Sequence, residues 1–433
     1  MAKASYYATK GDVITDELAD DIIIGGQGDD SIDAGRGQNI VFGDHGRILG
    51  VDSVVATLAN RPIGDPVSTK TDDDYQVKVL GLVTSIDAGA INGTGNEYGN
   101  GNDTITTGIG RDMVFGGGGD LDTINTYASS GGAAAADGNN IVFGDHGLVD
   151  YLAEEIAQGG PAHNPLRTHD IDRVWSIFTA MGGSDTVTTG NRHDIVVGGQ
   201  AGDVINAGHG KNIVFGDAGQ VTAATQDDPL VQISVHEFTV GEVLSIAFTD
   251  GGADQIHTGD HDDILLGGRG IDTLDTGKGD NVAFGDQGQI LMLTNHKVGG
   301  AVDYNHVVGA PDRPVLDHPL TYALITALVD TGDGDDVMTG GIGRDILIGG
   351  NGADTMNTFA SGLVSTAPGY AAAYATAAAA DGNNIVFGDY GLVDYLSQEL
   401  SLSNNPTLTL QAFVLSPNPD ALASWWKQVE QWR

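Results

Sequence analysis

The sequence predicts an all-β fold, a parallel β-roll or β-helix solenoid in five blocks with β-rich excursions between them. Three observations carry this. A Phe-centred octet recurs five times, rows of nine residues lead up to each copy, and each row sets an aliphatic residue two places beyond an aspartate or asparagine. Six turn-forming residues followed by three strand residues make a tight coil whose aliphatic side chain points inward.

The octet Asn-Ile-Val-Phe-Gly-Asp-His-Gly stands at Asn39–Gly46 and again at Asn140–Gly147, with variants at Asn212–Gly219, Asn281–Gly288 and Asn384–Gly391. Its phenylalanines are Phe42, Phe143, Phe215, Phe284 and Phe387. Phe42 to Phe284 spans 242 residues and Phe143 to Phe387 spans 244, so a longer period holding three units runs through the chain. Asp20–Leu49 accordingly resembles Asp262–Leu291, and Gly108–Glu155 resembles Gly341–Glu399. The chain reads as a segment of a longer repetitive protein.

Numbered by their sixth residue, the rows of the first unit are Asp12, Asp21, Asp30 and Asn39. Those of the second are Asp103, Asp112, Asp122 and Asn140, and those of the third Asp185, Asp194, Asp203 and Asn212. The fourth has Asp254, Asp263, Asp272 and Asn281, the fifth Asp336, Asp345, Asp354 and Asn384. Rows one to three are thus always Asp and row four always Asn. Two coils per unit are too few for a core, so the units are expected to stack on one another. The blocks are placed at 7–46, 98–147, 180–219, 249–288 and 331–391. Excursions fill 47–97, 148–179, 220–248 and 289–330, and a partial one follows at 392–433.

The rows Gly25–Asp33 (GGQGDDSID), Gly267–Asp275 (GGRGIDTLD), Gly349–Asn357 (GGNGADTMN) and Gly340–Ile348 resemble the RTX, or haemolysin-type, calcium-binding nonapeptide repeat. The resemblance implies a right-handed parallel β-roll with Ca2+ ions between stacked turns, held by the row aspartates and by turn carbonyls. It also implies export through type I secretion and folding outside the cell. Other rows depart from the pattern: Asp16–Ile24 lacks every turn glycine, which puts Asp21 in doubt as a ligand, and the row ending at Asn125 carries one extra residue before Asp122.

Calcium takes six to eight oxygens, which one Asp cannot supply but two adjacent turns can. Rows one and three are expected on one edge of the roll, rows two and four on the other. Asp30 would then lie over Asp12 and Asp272 over Asp254, and their repulsion would expand the chain until a cation joins them. Row-four Asn offers an amide oxygen to the metal or caps the turn without one. The Gly-Asp after each phenylalanine adds Asp44, Asp145, Asp217, Asp286 and Asp389. Two roles fit them: completing an ion site at the row-four edge, or capping the turn into the excursion. The phenylalanine itself reads as a plug closing each unit.

Composition agrees. The acidic count of 59 against 19 basic residues gives a net charge of −40, which argues against nucleic acid and anionic membranes as partners. Only 8 of those acids are Glu, so the charge sits in turns rather than on helices. There is no Cys, hence no disulfide or thiolate metal site, and no apolar run long enough for a helical span. In the excursions Val231–Phe238 and Val243–Phe248 look like strands, whereas Leu148–Ala157 and Leu392–Leu400 fit short amphipathic helices. Ala-rich inserts interrupt rows at Tyr127–Ala136 and Phe359–Ala380.

No catalytic constellation stands out. His45 and His146 follow the repeated Gly-Asp, but Ala218, Gln287 and Tyr390 replace them in the other units. His257, Asp260 and His261 mimic a metal cluster but belong to the rows, and Trp175, Trp425, Trp426 and Trp432 serve packing more readily than sugar stacking. The expected function is a non-enzymatic, calcium-binding structural segment of a large secreted surface, matrix or filament protein that partners copies of itself. The alternatives are the secretion domain of an RTX enzyme or toxin, and an adhesin module binding carbohydrate or a surface.

Overall fold

A computed structural model describes residues 11–15, 20–50, 80–86, 100–127, 137–151, 171–223, 240–292, 297–298, 301–302, 322–329, 334–359, 382 and 384–394. The rows become short strands, such as Ser31–Asp33 and Ile40–Phe42, joined by the Gly/Asp-rich turns. Rows one and three build one 10-stranded parallel sheet, and rows two and four build a second. Pairing passes straight across the excursions: Ile32 lies beside Ile105 and Val41 beside Val114. The five blocks therefore form one continuous roll of ten coils, about 45–50 Å long at the usual strand spacing.

The two sheets differ in sequence because they differ in what covers them. Strands of the odd rows, such as Thr104–Thr106, bury only the central residue and leave the flanking ones to solvent. Strands of the even rows, such as Ile141–Phe143 and Ile195–Val197, are buried on both faces and are apolar throughout. Their central residues, among them Val142, Val196 and Val214, meet Ile105, Ile124 and Val187 inside the roll. Their flanking residues, Ile141 and Phe143 for example, face outward into a second core.

That second core is closed by the excursions. The first four each leave as a strand at the end of the octet and return as another, the fifth leaves as Leu392–Asp394, and together they form a nine-stranded antiparallel sheet from Gly46–Gly50 to Leu392–Asp394. Gly46 pairs with Ser85 within one excursion, and Leu148 pairs with Thr84 between two. Strand Val240–Ser245 covers the first half of the expected 243–248 strand, which gives way to a turn, and Val231–Phe238 lies outside the described residues. The helices expected at 148–157 and 392–400 do not begin as helices. Gly147–Asp150 and Leu392–Asp394 are strands whose backbone groups are taken up by neighbouring hairpins, and the remainder of both segments lies outside the described residues.

The phenylalanines do not plug the units. As third residues of even strands they point away from the roll interior and stack beneath the antiparallel sheet, Phe42 on Phe115 at 4.8 Å and Phe115 on Phe143 at 5.1 Å between ring centroids. The glycine that starts each excursion strand passes over its own octet's ring, so a Cβ on Gly147 would overlap Phe143. The extra residue before Asp122 is absorbed in its turn, since Ile105 still pairs with Ile124. The Ala-rich inserts fall mostly outside the described residues, yet Ile141 resumes in register with Met113.

Phe143 is fully buried between the two sheets, so Phe143→Ala should cost about 3–5 kcal/mol in urea unfolding at saturating calcium. Thr104→Ala, on the exposed face, should stay within about 0.5 kcal/mol in the same measurement.

Candidate metal sites

The turns put every row-six residue at one of two edges. On the edge formed by rows one and three all ten are Asp, and they make an unbroken ladder. The backbone N–H of Asp12 donates to Oδ1 of Asp30 at 2.5 Å, that of Asp30 to Asp103 at 2.7 Å, and that of Asp103 to Asp122 at 2.7 Å. The series runs on through Asp185, Asp203, Asp254, Asp272 and Asp336 to Asp354 at 2.7–3.0 Å. Carboxylates the sequence stacks are thus neighbours in space, Asp30 by Asp12 and Asp272 by Asp254.

One oxygen of each carboxylate is spent on this ladder. The other is not: Oδ2 of Asp103, Asp122, Asp185, Asp203 and Asp254 is buried without a hydrogen-bond partner. These oxygens converge with turn carbonyls. Above the Cα of Gly198, where a Cβ would stand, lie both Asp203 Oδ2 and the carbonyl oxygen of Gly216. The same pairing repeats at Gly43, between Asp103 Oδ2 and the carbonyl of Gly116. An orphaned carboxylate oxygen beside carbonyl oxygens is the donor set of a hard cation, and these residues fit Ca2+. Among the described residues no group of three carboxylate or imidazole side chains comes together, so an ion here would draw heavily on backbone oxygens.

Burial raises the proton affinity of these acids. Desolvation, followed by repulsion from Asp122, lifts Asp103 to about 9; desolvation lifts Asp185 to about 8 and Asp122 to about 7. Asp203 and Asp254 are raised well above the ordinary carboxylate range by the same burial, reinforced by the Asp254 charge for the former and the Asp217 charge for the latter. Backbone N–H groups work against the shift but do not offset it.

The aspartates after the phenylalanines also lie on this edge, not on the row-four edge, because the turn that follows an even strand opens the next odd row. They bind backbone N–H groups of the returning chain and of the next coil. Asp44 accepts from Gly101 at 3.2 Å and Gly118 at 2.8 Å, and Asp145 from Gly183 at 3.0 Å and Gln200 at 2.5 Å. Asp217 accepts from Gly252 and Arg269, and Asp286 from Asn351. Each therefore fastens the root of a hairpin, while Asp389 is exposed.

On the opposite edge Asp21, Asp112, Asp194, Asp263 and Asp345 alternate with the five row-four asparagines. Asp21 N–H donates to Asn39 Oδ1 at 3.1 Å, Asn39 to Asp112 at 2.9 Å and Asp112 to Asn140 at 3.0 Å, continuing to Asn384. Asp21 is buried and in this ladder despite its glycine-free turn. The His257, Asp260 and His261 group is dispersed: His257 bonds Asp275 on the exposed sheet face, and Asp260 bonds Lys278. Trp175 lies half-buried on the antiparallel sheet with the Arg173 guanidinium 4.5 Å from its ring, and the other tryptophans lie outside the described residues. The two edges fall as the rows predict, and what the row-by-row reading left open is that the second aspartate lies on the edge of rows one and three and holds the hairpin root.

A family model for the RTX calcium-binding nonapeptide repeat, in four copies, matches residues 11–47, 99–120, 188–222, 246–274, 266–289 and 329–358. RTX calcium-binding nonapeptide repeats thus stand in several blocks across the chain. No curated protein and no solved structure matches the chain. The matched RTX segments follow the coils, and the ladders described above run through them.

The raised acids set the pH dependence of the metal-free RTX roll. Their folded-state affinities exceed those of the unfolded chain, so the folded form holds more protons between about pH 4 and pH 8. That contribution is fully present below about pH 4 and is lost as pH rises through about 7–9, the values of Asp122, Asp185 and Asp103. Chelated protein should therefore gain β-sheet circular dichroism on acidification from pH 8 to 4, and calcium added at pH 7.5 should restore it with release of protons.

Proposed function

We propose that this chain is a non-enzymatic structural segment of a large secreted protein of a cell surface, extracellular matrix or filament, folding when calcium binds its RTX coils. The observation that supports it most is the continuous aspartate ladder with buried, orphaned second oxygens. Ionised, such a ladder repels itself, and a divalent cation between turns converts the repulsion into cohesion. RTX repeat proteins are generally secreted, and extracellular calcium suits sites of this oxygen-rich kind. The excursions add support, since they are spent on an antiparallel sheet that braces the roll over its described length. Among the described residues the two parallel sheets end in edge strands, Val13–Thr15 and Thr355–Asn357 in one and Ile22–Ile24 and Ile385–Phe387 in the other, which favour stacking of one copy on another.

Calcium titration from EGTA, followed by circular dichroism and light scattering with magnesium as control, tests this reading. A calcium-specific gain of β signal with compaction, or with growth into rods, is expected. Protein fully folded in EGTA and unchanged by calcium would sink the proposal.

A further inference from the structure

The two edges of the roll are built differently, in four independent respects. First, the edge of rows one and three carries only Asp in its ladder, whereas the other alternates Asp and Asn. Second, the asparagine amides already fill the mixed edge. Asn281 Nδ2 donates to the carbonyls of Gly279 at 3.2 Å and Gly340 at 3.4 Å and to Asp345 Oδ1 at 3.0 Å. Asn212 Nδ2 likewise reaches the carbonyls of Gly210 at 3.3 Å and Gly208 at 3.4 Å. These turn carbonyls and carboxylates are the oxygens a cation would need, and an NH2 group occupies their common centre.

Third, the first turn residue is Gly throughout the aspartate edge, from Gly25 to Gly349, because carboxylate and carbonyl oxygens crowd the place of its Cβ. In the described turns of the mixed edge the same place holds Thr or Ala, as at Ala34, Thr107, Thr189, Ala207, Thr258 and Thr276, with Gly340 the exception. Thr107 donates its hydroxyl to Asp112 Oδ2 at 2.7 Å, whereas Oδ2 of Asp194 and of Asp263 is buried without a hydrogen-bond partner, so the mixed edge keeps single orphaned carboxylate oxygens but sets an asparagine, not a second carboxylate, at each neighbouring step. The next glycine also differs in backbone: φ is 65–80° at Gly35, Gly108, Gly208, Gly277 and Gly341, against 109–129° at Gly26, Gly117, Gly199, Gly268 and Gly350.

Fourth, the mixed edge brings its own cations. Arg36, Arg111, Arg192, Lys211, Lys278 and Arg344 all stand in its turns, and Lys211 pairs with Asp262 at 3.1 Å and Lys278 with Asp260 at 2.8 Å. Among the described turns of the aspartate edge, Arg269 is the one Lys or Arg.

We infer that this roll takes calcium along one edge only, between the turns of rows one and three, and that the opposite edge is a metal-free ladder in which asparagine amides stand between the carboxylates and basic side chains stand in the turns. The inference rests on the calcium reading above but goes against what the repeat motif alone implies, which is ions wherever the nonapeptide Asp recurs. Asp112, Asp194, Asp263 and Asp345 are then structural acceptors. The ions belong to the steps joining Asp12, Asp30, Asp103 and their successors to Asp354.

Crystals of the whole chain grown in calcium and soaked with terbium give a direct test by anomalous scattering. Peaks along the aspartate edge alone are expected, and peaks of comparable height between mixed-edge turns would overturn the inference. In solution, equilibrium dialysis with calcium compares two double variants. Asn accepts the same ladder bond at the mixed edge, so both should retain the roll. Asp185→Asn with Asp203→Asn should lose bound calcium and raise the half-saturating concentration about tenfold. Asp194→Asn with Asp263→Asn should keep the count and midpoint of the parent. Equal losses in both pairs would overturn the one-edge assignment while leaving calcium-dependent folding intact, whereas a parent chain that takes up no calcium would overturn both.

Discussion

The odd-row aspartates divide their carboxylates between two tasks. From Asp30 on, one oxygen receives the N–H of the aspartate in the preceding coil, and in Asp103, Asp122, Asp185, Asp203 and Asp254 the other is left buried beside turn carbonyls. The first task fixes register, since a slip by one residue would break the ladder and turn Ile32 or Ile105 out of the interior. The second creates a deficit that protein groups do not fill. A coil brings only two aliphatic side chains into the roll, little to hold against the entropy of ordering its turns. Cohesion between coils therefore depends on what neutralises the ladder, and a hard cation suits the oxygens on offer.

The four-row unit has a geometric reason. Four rows make two coils, which advance the roll by two strand spacings. One excursion supplies two antiparallel strands, which advance the covering sheet by the same amount. Roll and cover thus stay in step however many units follow. An excursion after every coil would crowd the cover, and one after every third would leave gaps over Phe42 and its counterparts. Because only the even-row sheet is covered, its strands are apolar throughout, as in Ile-Val-Phe, while Thr-Ile-Thr suffices on the bare side.

Much of this was legible in the residues. Nine-residue spacing with an aliphatic two places past each Asp gave the coils, and the invariant Asp in rows one to three gave the ladder positions. The excursion sheet was not legible, since the partner of Gly147–Asp150 is set by a strand more than sixty residues earlier, and a short run such as Leu-Val-Asp fits a helix as well as a strand. The phenylalanines misled for a related reason: burial was correctly expected, but which of two cores receives the ring depends on a sheet the rows do not encode. The difference between edges was written in the first turn residue, Gly on one side and Thr or Ala on the other. Its meaning emerges only when Gly198 is seen against Asp203 and Thr107 against Asp112.

The edge that needs neutralising is also the edge that anchors the cover. Asp44, Asp145, Asp217 and Asp286 sit in its turns and hold the hairpin roots to the next coil through backbone N–H groups. They share that edge's burial and charge: Asp44 is raised to about 8 by desolvation, and Asp217 to about 9 by desolvation, with the Asp272 charge adding to it. Anything that swells the aspartate edge must pull on these roots and hence on the antiparallel sheet above the phenylalanines. On the mixed edge asparagines separate the aspartates and basic side chains stand in the turns, so fewer buried carboxylates face one another there. Cation binding at one side of a narrow roll therefore reaches the second core directly, which couples two layers that share no metal ligand in the cover itself.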